Sequence, residues 1–366
     1  MLHRLRLTHF RNYERLHLEL SPGVNAFIGA NGQGKTNLLE AVHFLSLLRS
    51  FRTTKNTLLP LGGTGDFSLY GEADAFPEGL VRLGVRYGSQ RLLMVDGACV
   101  RRSSDFISRL VCAPFLPGDL AIVKGSPVLR RRFLDIALCQ LSPVYLKAYQ
   151  EFHEALKNRN AMLKTPAKYP RSAITAYDQI LVEKAAIVEE HRRDLGENLH
   201  RALQQHSPLF FPEGRTMACT YLSGIGRLLE RAPGSREEIQ AKYAQCLEEA
   251  FPRDCREGMT HYGPQRSDLA CLLQGKVLAS YGSEGECRTA ALTLRLALLH
   301  APHAHHPHQG ITILVDDVLG ELDALRKQAF LTCIVQAGQV LFAGTALPKD
   351  FPNPRVFAVE NGTIRE

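Results

Sequence analysis

The sequence predicts an α/β domain split by a mainly helical insertion, and three observations predict it. A short apolar run, Val24 to Ile28, passes through a glycine-rich turn, Gly29 to Gly34, into a helical pattern from Thr36 to Leu48. A second apolar run, Ile311 to Val315, ends in the carboxylates Asp316 and Asp317. Between them, residues 127–163, 173–206 and 236–250 carry long helical stretches rich in Leu, Ala, Lys, Arg and Glu. Strand, turn and helix at the start, helices in the middle and a buried strand near the end fit one α/β layer structure with an insertion.

The elements follow in order. Leu5-Arg6-Leu7-Thr8-His9-Phe10 alternates strictly, as a half-exposed strand does, and Leu16, Leu18 and Leu20 repeat the pattern until Ser21-Pro22-Gly23 turns the chain. Residues 67–73, 80–87 and 91–96 read as further strands, with Asp96-Gly97 as a hairpin turn. The texture changes near Leu120, where the helical stretches begin. Strand signals return at Asp268 to Leu273, followed by a helix at 284–300 and late strands at 339–342 and 355–359.

Composition sets bounds around this pattern. A chain of 366 residues, 45% of them hydrophobic, suits two domains or one with a large insertion. No run approaches the roughly 20 apolar residues of a membrane helix, and Met1 to Arg4 enters the first alternation without a signal-peptide core. The expectation is a cytoplasmic protein with no membrane association. Nine scattered cysteines form no CxxC pair, which predicts reduced thiols in ordinary packing. His303, His305, His306 and His308 could suggest a metal, but the prolines and glycine around them favour a loop. The net charge of +7 permits a polyanionic partner without demonstrating one.

The most informative segment is Gly29-Ala30-Asn31-Gly32-Gln33-Gly34-Lys35-Thr36, a complete G-x-x-x-x-G-K-[ST] motif followed by Asn37. Glycines let consecutive backbone N–H groups turn inward around phosphate oxygens, and the next helix presents its positive end. In this pattern Lys35 reaches the β- and γ-phosphates and the Thr36 hydroxyl ligates magnesium. Asp316, at the end of the late apolar strand, is the matching carboxylate for Mg2+, and Asp317 the candidate base that orients the attacking water. Lys35 and Asp316 lie far apart in sequence, unlike the spacing in small GTPases and in keeping with ABC-type heads that carry an inserted arm. Glu321-Leu322-Asp323 follows where ABC ATPases have their D-loop, which marks Asp323.

A third element, Tyr281-Gly282-Ser283-Glu284-Gly285-Glu286-Cys287-Arg288, precedes a Leu/Ala-rich helix. It stands where ABC proteins carry the signature whose serine, here Ser283, grips the γ-phosphate of ATP held by a second subunit. The same residues also have the S-x-x-E spacing of a capping box. Arg101-Arg102 and Arg130-Arg131-Arg132 are basic runs that read either as solvated faces or as DNA phosphate contacts.

These residues together resemble the RecF family. The resemblance is carried by Phe10-Arg11-Asn12-Tyr13, by Asn31 to Glu40, by Ser50-Phe51-Arg52 and by Pro127 with Arg131-Arg132-Phe133-Leu134-Asp135. It continues through Gly263-Pro264-Gln265-Arg266-Ser267-Asp268-Leu269 to Asp316-Asp317-Val318 and Glu321-Leu322-Asp323, so it spans nearly the whole chain in order. It implies an α/β, P-loop ABC-type (SMC-head-like) ATPase domain split by a mainly helical second lobe, with residues 1–120 and 256–366 as the head and 121–255 as the lobe. The resemblance also implies ATP and Mg2+ as cofactors, an ATP-dependent homodimer and weak, DNA-stimulated hydrolysis. Partners would be duplex DNA, single/double-strand junctions, RecO and RecR, in loading recombinase at single-strand gaps. In that fold Arg11 and Asn12 stand beside the phosphate-loop strand, where they are candidates to touch nucleotide. Departures from the family pattern are Glu284 and Glu286 in place of two glutamines, Gln265 and Ser267 in place of His and Asp, Phe115 to Leu120 without the usual glutamate, and Thr345 at the switch-histidine position. The alternative readings are another ABC-type ATPase, either SMC-like or a transporter subunit, and a binding module in which ATP is structural.

Overall fold

Alternating side chains build the first sheet. The structure, a computed structural model, describes residues 1–75, 78–211, 214–225, 235–301 and 310–366, with Glu321 by its backbone alone. The four histidines between 303 and 308 lie outside the described residues. The chain begins with β1 (Leu2–Phe10), β2 (Tyr13–Glu19), β3 (Val24–Ile28) and α1 (Lys35–Leu47), followed by β4 (Phe67–Ala75), β5 (Gly79–Tyr87), β6 (Leu92–Val95), β7 (Ala98–Val100) and β8 (Val111–Phe115). An antiparallel sheet runs in the order β2-β1-β4-β5-β6-β7. The β6–β7 turn at Asp96-Gly97 has positive φ at both residues, as a tight hairpin of this type requires. Inward-facing Leu5, Leu7, Phe10, Phe67, Leu69, Leu83 and Val85 are fully or almost fully buried. Leu38, Leu39, Ala41, Val42, Phe44 and Leu45 of α1 are wholly buried too, so this helix is apolar around most of its circumference.

The chain continues through α2 (Leu120–Lys124), α3 (Pro127–Leu141), α4 (Pro143–Leu163), α5 (Arg171–His206), β9 (Met217–Leu222), α6 (Arg236–Glu257), β10 (Asp268–Leu273), β11 (Lys276–Val277), α7 (Leu278–Tyr281) and α8 (Glu284–His300). The stretch read as one helical region from 127 to 163 is two helices. Ser142 closes the first, and its hydroxyl accepts from the Tyr145 N–H to cap the second, which opens on Pro143. The chain then returns through β12 (Ile311–Asp316), α9 (Ala324–Ala337), β13 (Gly338–Gly344), β14 (Arg355–Glu360) and β15 (Thr363–Arg365). The second large sheet has the order β15-β14-β3-β13-β12-β8 and is parallel except for β15. The carboxyl ends of β3 and β12 therefore open on the same edge, with β13 between them.

The chain divides into two compact units, Met1–Leu120 with His206–Gly214 and Arg288–Glu366, and Ala121–Gln205 with Arg215–Cys287. The sequence reading assigned 256–287 to the first unit; the structure assigns these residues to the second. The reason is strand pairing, because β10 pairs with β9 over Asp268 to Leu273 and with β11 beyond it. The second unit is thus helical with a three-stranded antiparallel sheet. In the Arg130-Arg131-Arg132 run, the first two arginines are engaged within the second unit. Arg130 is 8% exposed and grips Asp268 through two hydrogen bonds of 2.6 and 2.9 Å. Arg131 donates to the Ser267 carbonyl at 2.6 Å. These two arginines join α3 to the start of β10.

The second unit also buries charge. Arg159 has no exposed surface, and it donates to Asp178 at 2.5 Å, to Asp254 at 2.6 Å and to Thr260 at 2.8 Å. The apolar core of the same unit includes Phe152, Leu181, Ile239, Tyr243 and Leu247. Arg159→Ala leaves the fully buried Asp254 without its cation, and it should destabilise the unit by about 3–5 kcal/mol. Denaturant titration of the variant against the parent checks this; a loss under about 1 kcal/mol would mean that water reaches the network.

Candidate nucleotide site

The site begins where β3 ends. Gly29 passes so close to β14 that a Cβ on it would sit 2.3 Å from the Val359 carbonyl oxygen, so no larger residue fits. Gly34 has φ 115°, a conformation that glycine adopts without strain, and a Cβ there would strike the Asn12 amide. The loop between them leads directly into α1, whose first N–H groups lack partners within the helix. Lys35 opens the helix, is 8% exposed, and turns its ammonium back onto the Gly29 and Ala30 carbonyls at 2.6 and 2.7 Å. Burial lowers its pKa, while the charges of Asp317 and Asp316 pull it upward.

Thr36 and Asp316 meet. The Thr36 hydroxyl donates to Asp316 Oδ1 at 2.9 Å, which joins the first turn of α1 to the end of β12. Asp316 is buried, and burial raises its pKa against the lowering effect of the Thr36 hydrogen bond. Asp317 is exposed and has φ 49°, a left-handed backbone that aspartate tolerates better than most residues. Its N–H donates to the Ala343 carbonyl on β13 at 3.2 Å. A hydroxyl, two carboxylates and an ammonium thus converge beside a helix N-terminus, a donor set suited to a hard cation and a phosphate chain.

The loop is clasped from two sides. Asn12 Nδ2 donates to the Gln33 carbonyl at 3.0 Å, and Asn12 Oδ1 accepts from Asn37 Nδ2 at 2.8 Å. The Tyr13 hydroxyl donates to the Gly34 carbonyl at 3.0 Å. From the β14–β15 turn, the Asn361 N–H donates to Gln33 Oε1 at 2.7 Å and the Gly362 N–H donates to the Gln33 carbonyl at 3.0 Å. Asn12, marked as a candidate nucleotide contact, is here a brace for the loop backbone.

Arg11, the other such candidate, is committed elsewhere. Its guanidinium grips Glu40 at 2.8 and 2.7 Å and donates to the Leu58 carbonyl at 2.9 Å. Glu40 lies on α1 with no exposed surface, and it also accepts from the Ser50 hydroxyl. Arg52, next along that loop, lies 3.8 Å from Glu40 and donates to Asn37 Oδ1 at 2.8 Å. A buried carboxylate therefore anchors both the β1–β2 turn and the 50–53 loop beside the phosphate loop. In the sequence Glu40 and Ser50-Phe51-Arg52 stand out only as family pattern, although a lone Glu in an otherwise apolar helical run is itself the signal of a buried partner.

Of the remaining residues, Thr345 follows Gly344, whose carbonyl accepts from the Gly29 N–H at 3.3 Å, so it adjoins the start of the phosphate loop. Asp323 caps α9 by accepting from the Arg326 N–H at 2.9 Å, and Thr345 is exposed just past β13. Ser283 belongs to the second unit. Its N–H donates to Glu286 Oε2 at 2.9 Å, and its hydroxyl accepts from the Glu286 N–H at 3.2 Å, a complete capping box. Arg215 donates to the same carboxylate at 2.5 Å. Arg215, then the Ser283 bonds, hold the Glu286 carboxyl down to about 2.

Residues 1–61 match the model of the RecF/RecN/SMC N terminal domain. The DNA replication and repair protein RecF of Streptococcus equi subsp. zooepidemicus (strain MGCS10565) is 32% identical over 98% of this chain and 96% of its own length. RecF of Streptococcus agalactiae serotype Ia is also 32% identical, over 98% of this chain and 96% of its own. The chain belongs to the RecF family. A solved structure of the recombination mediator protein RecF with ATP, in the RecFOR pathway, superposes at a TM-score of 0.90 with 26% identity, covering 100% of this chain and 96% of that one. An Smc head bound to the C-winged helix domain of ScpA shares the fold at a TM-score of 0.57 and 16% identity, covering 100% and 96%. The RecF-family fold of this chain is accordingly α/β, of the ABC type and SMC-head-like.

Two predictions follow from the geometry. Glu40→Gln and Arg11→Ala should each destabilise the protein, and the double variant should lose at least about 1 kcal/mol less than the two singles added together. Thermal or denaturant unfolding of the four proteins measures this coupling, and additive losses would mean the two groups act independently. The second concerns Glu286, whose folded pKa lies below the usual 4.5. Its stabilising contribution is complete above about pH 5 and fades as the pH falls through 4.5 towards about 2. The stability gap between the parent and Glu286→Gln should therefore be constant near neutrality and shrink on acidification; a gap independent of pH would contradict the bonds to Arg215 and Ser283.

Proposed function

We propose that this chain is an ATP-dependent DNA-binding protein of recombinational repair and replication restart, which binds and slowly hydrolyses ATP. The observation that carries the reading is the 2.9 Å hydrogen bond between Thr36 and Asp316, because it brings the phosphate loop and the carboxylate strand to one point. Thr36 and Asp316 would hold Mg2+, which supplies charge neutralisation along the phosphate chain when bound. The backbone N–H groups from Gly29 to Asn37, with Ala30, Asn31, Gly32, Gln33 and Gly34 between, cradle the phosphates. Lys35 leaves the Gly29 and Ala30 carbonyls to meet the β- and γ-phosphates. Asp317, exposed at the mouth of the site, orients the attacking water and accepts its proton. Asn12 and Arg11 act from behind by fixing the loop and Glu40.

In this reading two copies sandwich ATP, with Ser283 of one facing the γ-phosphate held by the other and Asp323 beside it, and DNA stimulates turnover. The RecF relatives and the RecFOR name of the solved ATP-bound structure support DNA, RecO and RecR as partners. Work on duplex DNA and at single/double-strand junctions, in the cytoplasm, goes with this role. The test separates binding from chemistry. Lys35→Met should lose ATP affinity while still unfolding in one cooperative thermal transition. Asp317→Asn should bind ATP and Mg2+ as the parent does, yet turn over about 100-fold more slowly. Equilibrium ATP binding and single-turnover hydrolysis measure both. Parental affinity in Lys35→Met would overturn the phosphate-loop assignment, and parental turnover in Asp317→Asn would move the base elsewhere.

A further inference from the structure

In the basic run at 130–132, Arg130 is buried against Asp268 and Arg131 is half-buried against the Ser267 carbonyl, so the fully exposed arginines are the stronger candidates to meet phosphate. The strand register of the first sheet shows where exposed arginines gather. Residues directly opposite each other on neighbouring antiparallel strands share a face. Arg15 on β2 stands opposite Thr8 on β1, Thr8 opposite Ser68 on β4, and Ser68 opposite Arg86 on β5. In the next row His17 stands opposite Arg6, and Arg6 opposite Tyr70. Arg6, Arg15 and Arg86 are exposed, as is His17, and all lie on the face turned away from buried Leu5, Leu7, Leu69 and Val85.

The carboxylates of this face are already taken. Glu19 and Glu72 fall in the third row with Arg4 and Arg82. Arg4 pairs with both, and Arg82 lies 3.8 Å from Glu72. That end is self-neutralised. Among the described residues Arg15 and Arg86 form no hydrogen bond or ion pair. Arg6 lies over the Tyr70 ring, 5.3 Å from its centroid, with no hydrogen bond to a carboxylate. Unpaired arginines concentrated on one half of a sheet face are a positive field rather than a mixed, solvated surface.

We infer that the half-face formed by Arg6, Arg15 and Arg86, with the Thr8 and Ser68 hydroxyls between them, is a binding surface for the sugar–phosphate backbone of duplex DNA. This rests on the reading of the chain as a DNA-binding ATPase and locates one contact surface on it. Three strand spacings separate Arg15 from Arg86, about 14 Å, far enough apart for the two to meet different phosphates. Hydroxyls and guanidinium groups are the usual partners of phosphate oxygens, and they read no base sequence. A single strand would call for free aromatic rings on which bases stack, and the Tyr70 ring is covered by Arg6. An acidic protein surface would call for an apolar anchor at the centre of the patch, where this face has Thr8 and Ser68, its apolar Leu92 and Met94 lying on β6 at one side. The opposite face of the same sheet packs on α1, as Phe44 against Phe67 shows, so one sheet separates this surface from the helix that opens at the phosphate loop.

The test uses the full chain with ATP and Mg2+ and a fluorescent duplex of mixed sequence, titrated across a range of salt. The variant Arg6→Ala/Arg15→Ala/Arg86→Ala should bind at least about 100-fold more weakly at low salt, with a salt slope reduced by about 0.9 for each arginine that meets a phosphate. Arg4→Ala/Arg82→Ala, on the neutralised half, should bind like the parent. ATP affinity and thermal melting should match the parent in both. Arg15→Gln/Arg86→Gln, which leaves the Arg6–Tyr70 contact intact, should show a smaller loss of the same kind and guards against a folding defect. Parental affinity and slope in the triple and the Gln variants would overturn the inference, including the outcome in which this face serves an acidic protein instead. A parent that binds no duplex at all would overturn the DNA reading itself, and this surface with it.

Discussion

The burial of α1 is the constraint on which the remainder depends. Nearly every side chain from Leu38 to Leu47 is enclosed, so the helix cannot shift without disturbing the strands around it. Its first turn carries Lys35 and Thr36 and thereby fixes the phosphate loop; its middle carries Glu40, which ties down two surface turns. A helix so enclosed gains its stability from packing rather than from propensity or charge pairs along its surface. Rigidity of that kind suits a site whose chemistry consists of placing charges, since small displacements of an electrostatic clamp remove most of its effect.

Much of the fold was legible because its periodicities are strong. The alternation of β1, the apolar β3 and β12, the glycine loop and the heavily charged helices announced themselves. β8 did not, because Pro114 interrupts its run; the strand tolerates that residue by lying at the sheet edge, paired only with β12. β9 was hidden for another reason, since its inward residues Met217 and Cys219 are not typical strand formers. Its omission led directly to the misplaced domain boundary, because residues 256–287 look independent of the insertion until their pairing partner is known.

The site was legible in its ends and not in its supports. Gly29 to Thr36 and Asp316 form a motif because phosphate chemistry restricts the residue types. Arg11 and Asn12 sat in a recognisable pattern, but their targets, a buried carboxylate and a loop carbonyl, are matters of tertiary contact. Arg130 and Arg131 illustrate the same limit from the other side. Three consecutive arginines look like a surface, yet two of them are held by a carboxylate and a carbonyl from a strand more than a hundred residues away. The unpaired arginines of the first sheet are scattered at 6, 15 and 86, and only strand register brings them into one patch.

The clasp on the phosphate loop has a consequence for how the site comes into being. Gln33 is held by Asn361 and Gly362, and the sequence separation of the first of these bonds is 328 residues. During synthesis the loop emerges early, while its clasp and the neighbouring strands β12, β13 and β14 are still unmade. In the nascent chain α1 can pack early on the first sheet, whereas β3 has neither of its parallel neighbours, β13 and β14, for most of translation. Nucleotide has nothing formed to bind until the late strands slot in on both sides of β3. A long-range closure of this kind is slow compared with local folding, and it makes the competent site a late event, reached only by a chain that has folded throughout.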